Sequence, residues 1–270
     1  HWLLPFAPLV LTTSRFTHIE CVAHGSDVAL LRRFPAQLSL RLLDALARKD
    51  VVLRLVSSRL RDELIDMAER APRSSSGCSR VRDWLARAEI RPSPLRALPI
   101  PPRDVARARL GIAERTPVAV VVARLVESKR VDVALRALDS GDWTVWVVGD
   151  GPLRSSLMKK FPHPNYRGQL PRDEALLRVR AADVLVSASL REGAPTVVRE
   201  ARELGTRVVA VDAGDLRQWS RLDPGITVVN SGSHTREALL RHARDLGPGP
   251  PTNVATVRAH FTRRSDARPL

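Results

Sequence analysis

Residues 183–215, DVLVSASLREGAPTVVREARELGTRVVAVDAGD, constrain the fold more than any other stretch of the chain. Val184 to Val186 and Val208 to Val211 are apolar runs of strand length, and a helix opened by Pro195 separates them. Strands without polar alternation, joined through a helix, belong in a parallel sheet with both faces covered. In such sheets ligands bind in the crevice beyond the carboxyl ends of the strands. The loop before Pro195 falls at that edge. The backbone N–H groups of Gly193, Ala194 and Thr196 are expected to point over the helix N-terminus, which favours an anion such as phosphate. Glu192 and Glu200 bracket the junction with seven residues between them. This spacing puts the first carboxylate on the loop and the second about two turns into the helix.

The same alternation extends through the second half of the chain. Strands are predicted at 117–123, 143–148, 183–188, 207–211 and 226–229, with a short one near Tyr166. Helices are predicted near 130–139, 152–160, 172–181, 195–204, 234–245 and 253–263. The first half shows strands at 19–23 and 50–57, leucines at helical spacing from Leu38 to Leu46, and helices at 58–70 and 79–88, the last capped by Ser79. A short apolar helix is expected over 8–14. Between the halves lie Pro92, Pro94, Pro99, Pro101 and Pro102, a density that neither a helix interior nor a central strand tolerates. The chain therefore reads as α/β with domains at 1–95 and 96–250, followed by a terminal segment at 251–270.

A net charge of +15, almost all of it arginine, is the one strong compositional deviation. It suits nucleic acid, an anionic membrane surface or a small anionic ligand, and the preference for arginine over lysine also follows from a GC-rich genome. The arginines are scattered and the chain has one tyrosine, so a stacking platform for single strands is disfavoured and no specific nucleic acid is expected. Cys21 and Cys78 are isolated, without metal-ligand or disulfide-framework spacing, which points to a reduced, cytoplasmic setting. No apolar run is long enough to span a bilayer and no signal peptide is visible. His1-Trp2-Leu3-Leu4-Pro5 reads as the interior of a longer chain.

Further candidate residues lie at predicted strand ends. Arg124 and Lys129 follow the first strand of the second half and are five residues apart, a spacing able to clamp a diphosphate. Solvated surface charges are the simpler alternative. Gly149 and Gly151, before Pro152, let a backbone approach a ligand closely or merely make a tight turn. His24 ends a strand in the first half, where Asp27 is able to cap the next segment. Paired carboxylate oxygens on Glu192 and Glu200 suit vicinal hydroxyls, as in a ribose or pyranose.

ARLVESKR, VVGDGP, YRGQLPRDE and AADVLVSASLREGAPTVVREARELGTRVVAVDAG occur in the order and spacing of family 4 of the retaining GT-B glycosyltransferases, which the chain resembles. HWLLP, HGSDV and VSSRLRDEL are similar to the acceptor-side domain of that family. The resemblance implies two Rossmann-like domains facing a cleft, the N-terminal one incomplete, with the C-terminal helix packing back toward it. It implies retaining transfer from a nucleotide diphosphate sugar to a glycan or lipid-linked acceptor, with no metal and no cofactor. Arg124 and Lys129 would hold the diphosphate, Glu200 the ribose and Glu192 the donor sugar. Backbone at Gly149 and from Gly193 through Ala194, Pro195 and Thr196 to Val197 would line the donor, and His24 would reach the reacting carbon. Docking on the inner face of an anionic membrane fits the charge. Three positions depart from the family pattern: Ala123 and Arg130 stand where glycines are usual, and Gly214-Asp215 replaces a glycine pair. A nucleotide-sugar epimerase, a non-catalytic donor-binding remnant and a charge-driven nucleic-acid binder are the competing readings.

Overall fold

Valine-rich runs form the centre of a six-stranded sheet. The computed structural model describes residues 7, 10–12, 19–49, 51–70, 77–96, 99–139, 143–232 and 235–245. The chain divides into two units, one of residues 1–93 with Glu192–Ala194, the other of residues 94–191 and 195–270.

In the first unit, β1 (Glu20–Ala23), β2 (Val52–Leu55) and β3 (Glu89–Ile90) pair in parallel in the order β1-β2-β3. One face of this sheet carries Cys21, Leu53 and Leu55 into a core with Leu43, Leu46, Leu64 and Trp84. The Trp84 indole N–H donates to the Val51 carbonyl at 2.7 Å, so the largest core side chain also satisfies its polar atom. On β2 the alternate residues Val52 and Arg54 are less buried, and Arg54 pairs with Glu20 at 3.3 Å. The helix Ser58–Glu69 starts where Ser57 accepts the Leu60 N–H at 3.3 Å, an N-cap bond.

The second unit contains β4 (Val118–Val122), β5 (Thr144–Val148), β6 (Asn165–Gly168), β7 (Val184–Ser187), β8 (Arg207–Val211) and β9 (Ile226–Val229). All pairings are parallel, in the order β6-β5-β4-β7-β8-β9. The four central strands are almost continuously buried, whereas edge strand β6 is mostly accessible. The chain runs outward from β4 to β6, then returns to the other side of β4 at β7. This reversal makes a switch point between the carboxyl ends of β4 and β7, the place where open α/β sheets bind ligands.

The amino ends of β4 and β7 are fastened by charge. Asp183 accepts the Val118 N–H at 2.8 Å and pairs with Arg103 and, at 3.5 Å, with Arg107. Arg107, 4% exposed, donates to the carbonyls of Ala181 at 3.0 Å and Ala113 at 2.8 Å. Burial pushes its guanidinium below the usual arginine range, and Asp183 opposes that shift.

Helices also occur outside the predicted elements, and two expectations need correction. A helix, Arg103–Arg109, begins directly after Pro102, because proline disfavours a helix interior but not its start. Pro35, Pro171 and Pro195 precede helices in the same way. The helix expected from Ser79 begins at Gly77, so Ser79 lies within it rather than capping it. Gly25–Leu31 is a helix following His24. Glu200 is the fifth residue of the helix Thr196–Glu203, so it stands little more than one turn in, not two. The helix expected over 253–263, and most of the one expected over 8–14, lie outside the described residues.

Candidate donor site

The β4 and β7 loops meet at the switch point. After β4 the chain passes Arg124, which is exposed, makes a short 3-10 turn at Glu127–Lys129, and enters the helix Val131–Leu138. The Leu190 N–H, in the loop after β7, donates to the Ser128 carbonyl at 2.9 Å, tying the two loops together. Arg124, half-buried Lys129 and the helix Thr196–Glu203 thus belong to one joined loop system. Pro195 at the N-cap has no side-chain acceptor, and the first-turn N–H groups of Thr196, Val197 and Val198 have none within their own helix. Thr196 is exposed, so this positive helix end is open to solvent.

The loop after β5 holds the backbone on either side of Arg124. The Ala123 N–H donates to Val148 at 3.0 Å and the Leu125 N–H donates to Asp150 at 2.9 Å, while the Leu125 carbonyl accepts Leu153 at 3.1 Å. Gly149 has φ +130°, and a Cβ there would lie 1.9 Å from the Ala123 carbonyl oxygen. The glycine is thus required by a neighbouring backbone, which accounts for it without a ligand.

Glu200 is 9% exposed. Its Oε1 accepts from Arg172 Nε at 2.9 Å and Nη2 at 2.6 Å. Beside it, Arg199 is 1% exposed, and burial pulls its guanidinium below the usual range against the opposing effect of Glu200 and Glu203.

The remaining candidates belong to the first unit. The His24 N–H donates to Asp27 Oδ2 at 2.8 Å, which makes Asp27 a cap of the helix Gly25–Leu31. Glu192 is half-buried on its loop. Gly193 is buried, and a Cβ there would lie 2.8 Å from Val56 and 3.1 Å from Leu60. Ala194 packs against the first core. Among the described residues, no group of three or more His, Cys, Asp or Glu is placed to hold a metal ion, and no helix is long and apolar enough to cross a membrane.

Residues 102–219, which include β4, β7 and both loops of the switch point, match the family described as glycosyl transferases group 1. This segment belongs to that family. TuaC of Bacillus subtilis (strain 168), named as a teichuronic acid biosynthesis glycosyltransferase, is 30% identical over 175 residues, 62% of this chain and 44% of TuaC. The chain therefore spans less than half the length of that curated relative. WaaG, a glycosyltransferase involved in lipopolysaccharide biosynthesis, superposes with a TM-score of 0.65 at 17% identity, covering 96% of this chain and 77% of WaaG. HepE of Anabaena, solved with UDP and glucose, gives a TM-score of 0.63 at 17% identity, covering 91% of this chain and 67% of HepE. The fold is GT-B.

Within this group 1 segment, the departure at Arg130 has a visible cost. Arg130 has φ 46° and ψ 43°, the one positive φ on a non-glycine among the described residues. A side chain in that region costs about 1–2 kcal/mol, which explains why glycine is usual there. Here Arg130 Nη1 donates to Ser231 Oγ at 3.1 Å. Sequence reasoning missed Arg172. It stands 28 residues from Glu200, a separation that no helical or strand period links, and only its place directly after Pro171 at a helix start hinted at an ordered side chain.

Proposed function

We propose that the chain transfers a sugar from a nucleotide diphosphate sugar to a glycan or lipid-linked acceptor, with retention of configuration and without a metal ion. The observation that carries this reading is the backbone bond from Leu190 to Ser128, which ties the loop bearing Arg124 and Lys129 to the loop leading into the helix Thr196–Glu203, at the switch point of the group 1 segment. Two cations and the N–H groups of Thr196 and Val197 supply positive potential where a leaving diphosphate gains charge. In the reaction, the bond from the anomeric carbon to the diphosphate oxygen breaks, and its electron pair leaves with the phosphate. The acceptor hydroxyl oxygen bonds to the same face of that carbon, and its proton passes to the departing phosphate. Glu192 contacts the donor sugar, Glu200 the ribose, Gly149 and the backbone from Gly193 through Ala194 and Pro195 line the donor, and His24 serves the reacting carbon. HepE was solved with UDP, which makes UDP the first ligand to try.

Calorimetry with UDP and GDP tests the clamp. Lys129→Ala should weaken the bound nucleotide about 10- to 100-fold, the value of one charged hydrogen bond. An unchanged affinity would show that the clamp is misassigned. Transfer that proceeds in EDTA, with the product anomer matching the donor by NMR, checks the remaining parts. Epimer formation without an acceptor would mark an epimerase instead, and donor binding without turnover a binding module.

A surface feature supports action at an anionic membrane. Leu30, Phe34 and Leu38 are 43%, 44% and 52% exposed where the helices Gly25–Leu31 and Ala36–Arg48 join. Arg32, Arg33 and Arg41 are exposed in the same stretch. Exposed apolar side chains with exposed arginines in the same stretch suit an anionic lipid headgroup layer, at about 1 kcal/mol per cation near the surface. The protein should sediment with phosphatidylglycerol vesicles at low salt, and Phe34→Asp should reduce the bound fraction severalfold. Equal recovery with neutral phosphatidylcholine vesicles would defeat this assignment.

A further inference from the structure

The carboxylate proposed to read the ribose is itself gripped by a residue to which no role has been given. Arg172 opens the helix Arg172–Ala181, directly after Pro171. Its Nε and Nη2 both donate to Glu200 Oε1, at 2.9 and 2.6 Å, and Nη2 also donates to the Arg96 carbonyl at 3.1 Å. A guanidinium is planar and rigid, so anchoring it on a backbone carbonyl fixes the plane in which it meets the carboxylate. The Glu200 side chain is 10% exposed and that of Arg172 37%, so the grip lies at the rim of the protein rather than deep inside it.

We infer that Arg172 is a positioning residue: it occupies Oε1 of Glu200 and so presents Oε2 to the vicinal hydroxyls of the nucleotide ribose. The inference rests on the ribose role proposed above for Glu200. An ionised carboxylate has about four lone-pair sites, and Arg172 takes those of one oxygen. Both Arg172 bonds go to Oε1, and Oε2 accepts none among the described residues. A glutamate held in one rotamer binds a diol without first losing side-chain freedom, which is how preorganisation adds affinity. The guanidinium acts through Glu200 and does not itself touch the hydroxyls.

The test compares calorimetric affinities of UDP with 2′-deoxy-UDP, and of GDP with 2′-deoxy-GDP, in the full chain. The unaltered protein should prefer the ribonucleotide by about tenfold, as one hydroxyl bond to a carboxylate implies. In Arg172→Met that preference should collapse toward one, through loss of ribonucleotide affinity alone and with the deoxynucleotide affinity held within twofold. Arg172→Lys, which keeps the charge but not the fork, should retain part of the preference and serves if the methionine variant melts early. If Arg172→Met weakens both nucleotides equally and keeps their ratio, Arg172 does not position Glu200 and the inference is overturned. If the unaltered protein itself shows no ribose preference, the ribose role of Glu200 falls first and takes the inference with it. The two failures are thus distinguishable.

Discussion

Asp223→Ala is expected to cost the second unit about 3–5 kcal/mol, the usual penalty for leaving a buried charge without its partner. Arg202 has a fully buried side chain, and that of Asp223 is 8% exposed. Arg202 Nε donates to Asp223 Oδ2 at 2.8 Å and Nη2 to Oδ1 at 3.0 Å, while Nη1 donates to the Thr206 carbonyl at 2.6 Å. Asp223 Oδ1 also accepts the Gly225 N–H at 2.8 Å, immediately before β9. One carboxylate thus neutralises a buried guanidinium and holds the turn that starts an edge strand. Urea unfolding should show the loss as a lower midpoint. The double variant Arg202→Met with Asp223→Leu should recover part of it, because a buried pair replaced by apolar side chains is often no worse than the pair. A double variant as weak as Asp223→Ala would mean that the turn, rather than the stranded charge, dominates.

The second large effect is expected at Gly149→Ala, where stability and binding should fall together. The new methyl would lie 1.9 Å from the Ala123 carbonyl oxygen. The obstacle is backbone, so no side-chain rotation relieves it. The unfavourable φ adds about 1–3 kcal/mol and the overlap about another 1–3 kcal/mol. Relief requires the β4 loop to move, and that loop carries Arg124 and Lys129. UDP affinity should therefore drop at least tenfold even at temperatures where the variant remains folded. Unchanged affinity in a folded Gly149→Ala protein would show that the loop after β5 does not set the position of the clamp.

Particular residues show why some of this was legible from sequence and some was not. The strands β4, β5, β7 and β8 stand out because central parallel strands must be apolar on both faces, so burial writes itself directly into Val118 to Val122 and Val208 to Val211. The helix Arg103–Arg109 was hidden because prolines that exclude a helix interior also precede helix starts, and Pro102 does the latter. Strand β3, only two residues long, has no period to detect. Gly149 was visible as a glycine, but its reason was not, since the Ala123 carbonyl reaches it through strand pairing rather than sequence proximity.

The sequence by itself determined the α/β class, the alternation of strand and helix, and the placing of Arg124 and Lys129 just after a strand and of Glu200 on a helix that follows another. Those follow from periodicity and residue type, which are local. Only the tertiary structure decided the strand order β6-β5-β4-β7-β8-β9, which makes the switch point, and the partner of Glu200, which is Arg172. Strand order and side-chain partnership come from contacts between residues far apart in sequence. Their energies depend on what is buried together, and local spacing carries no record of that.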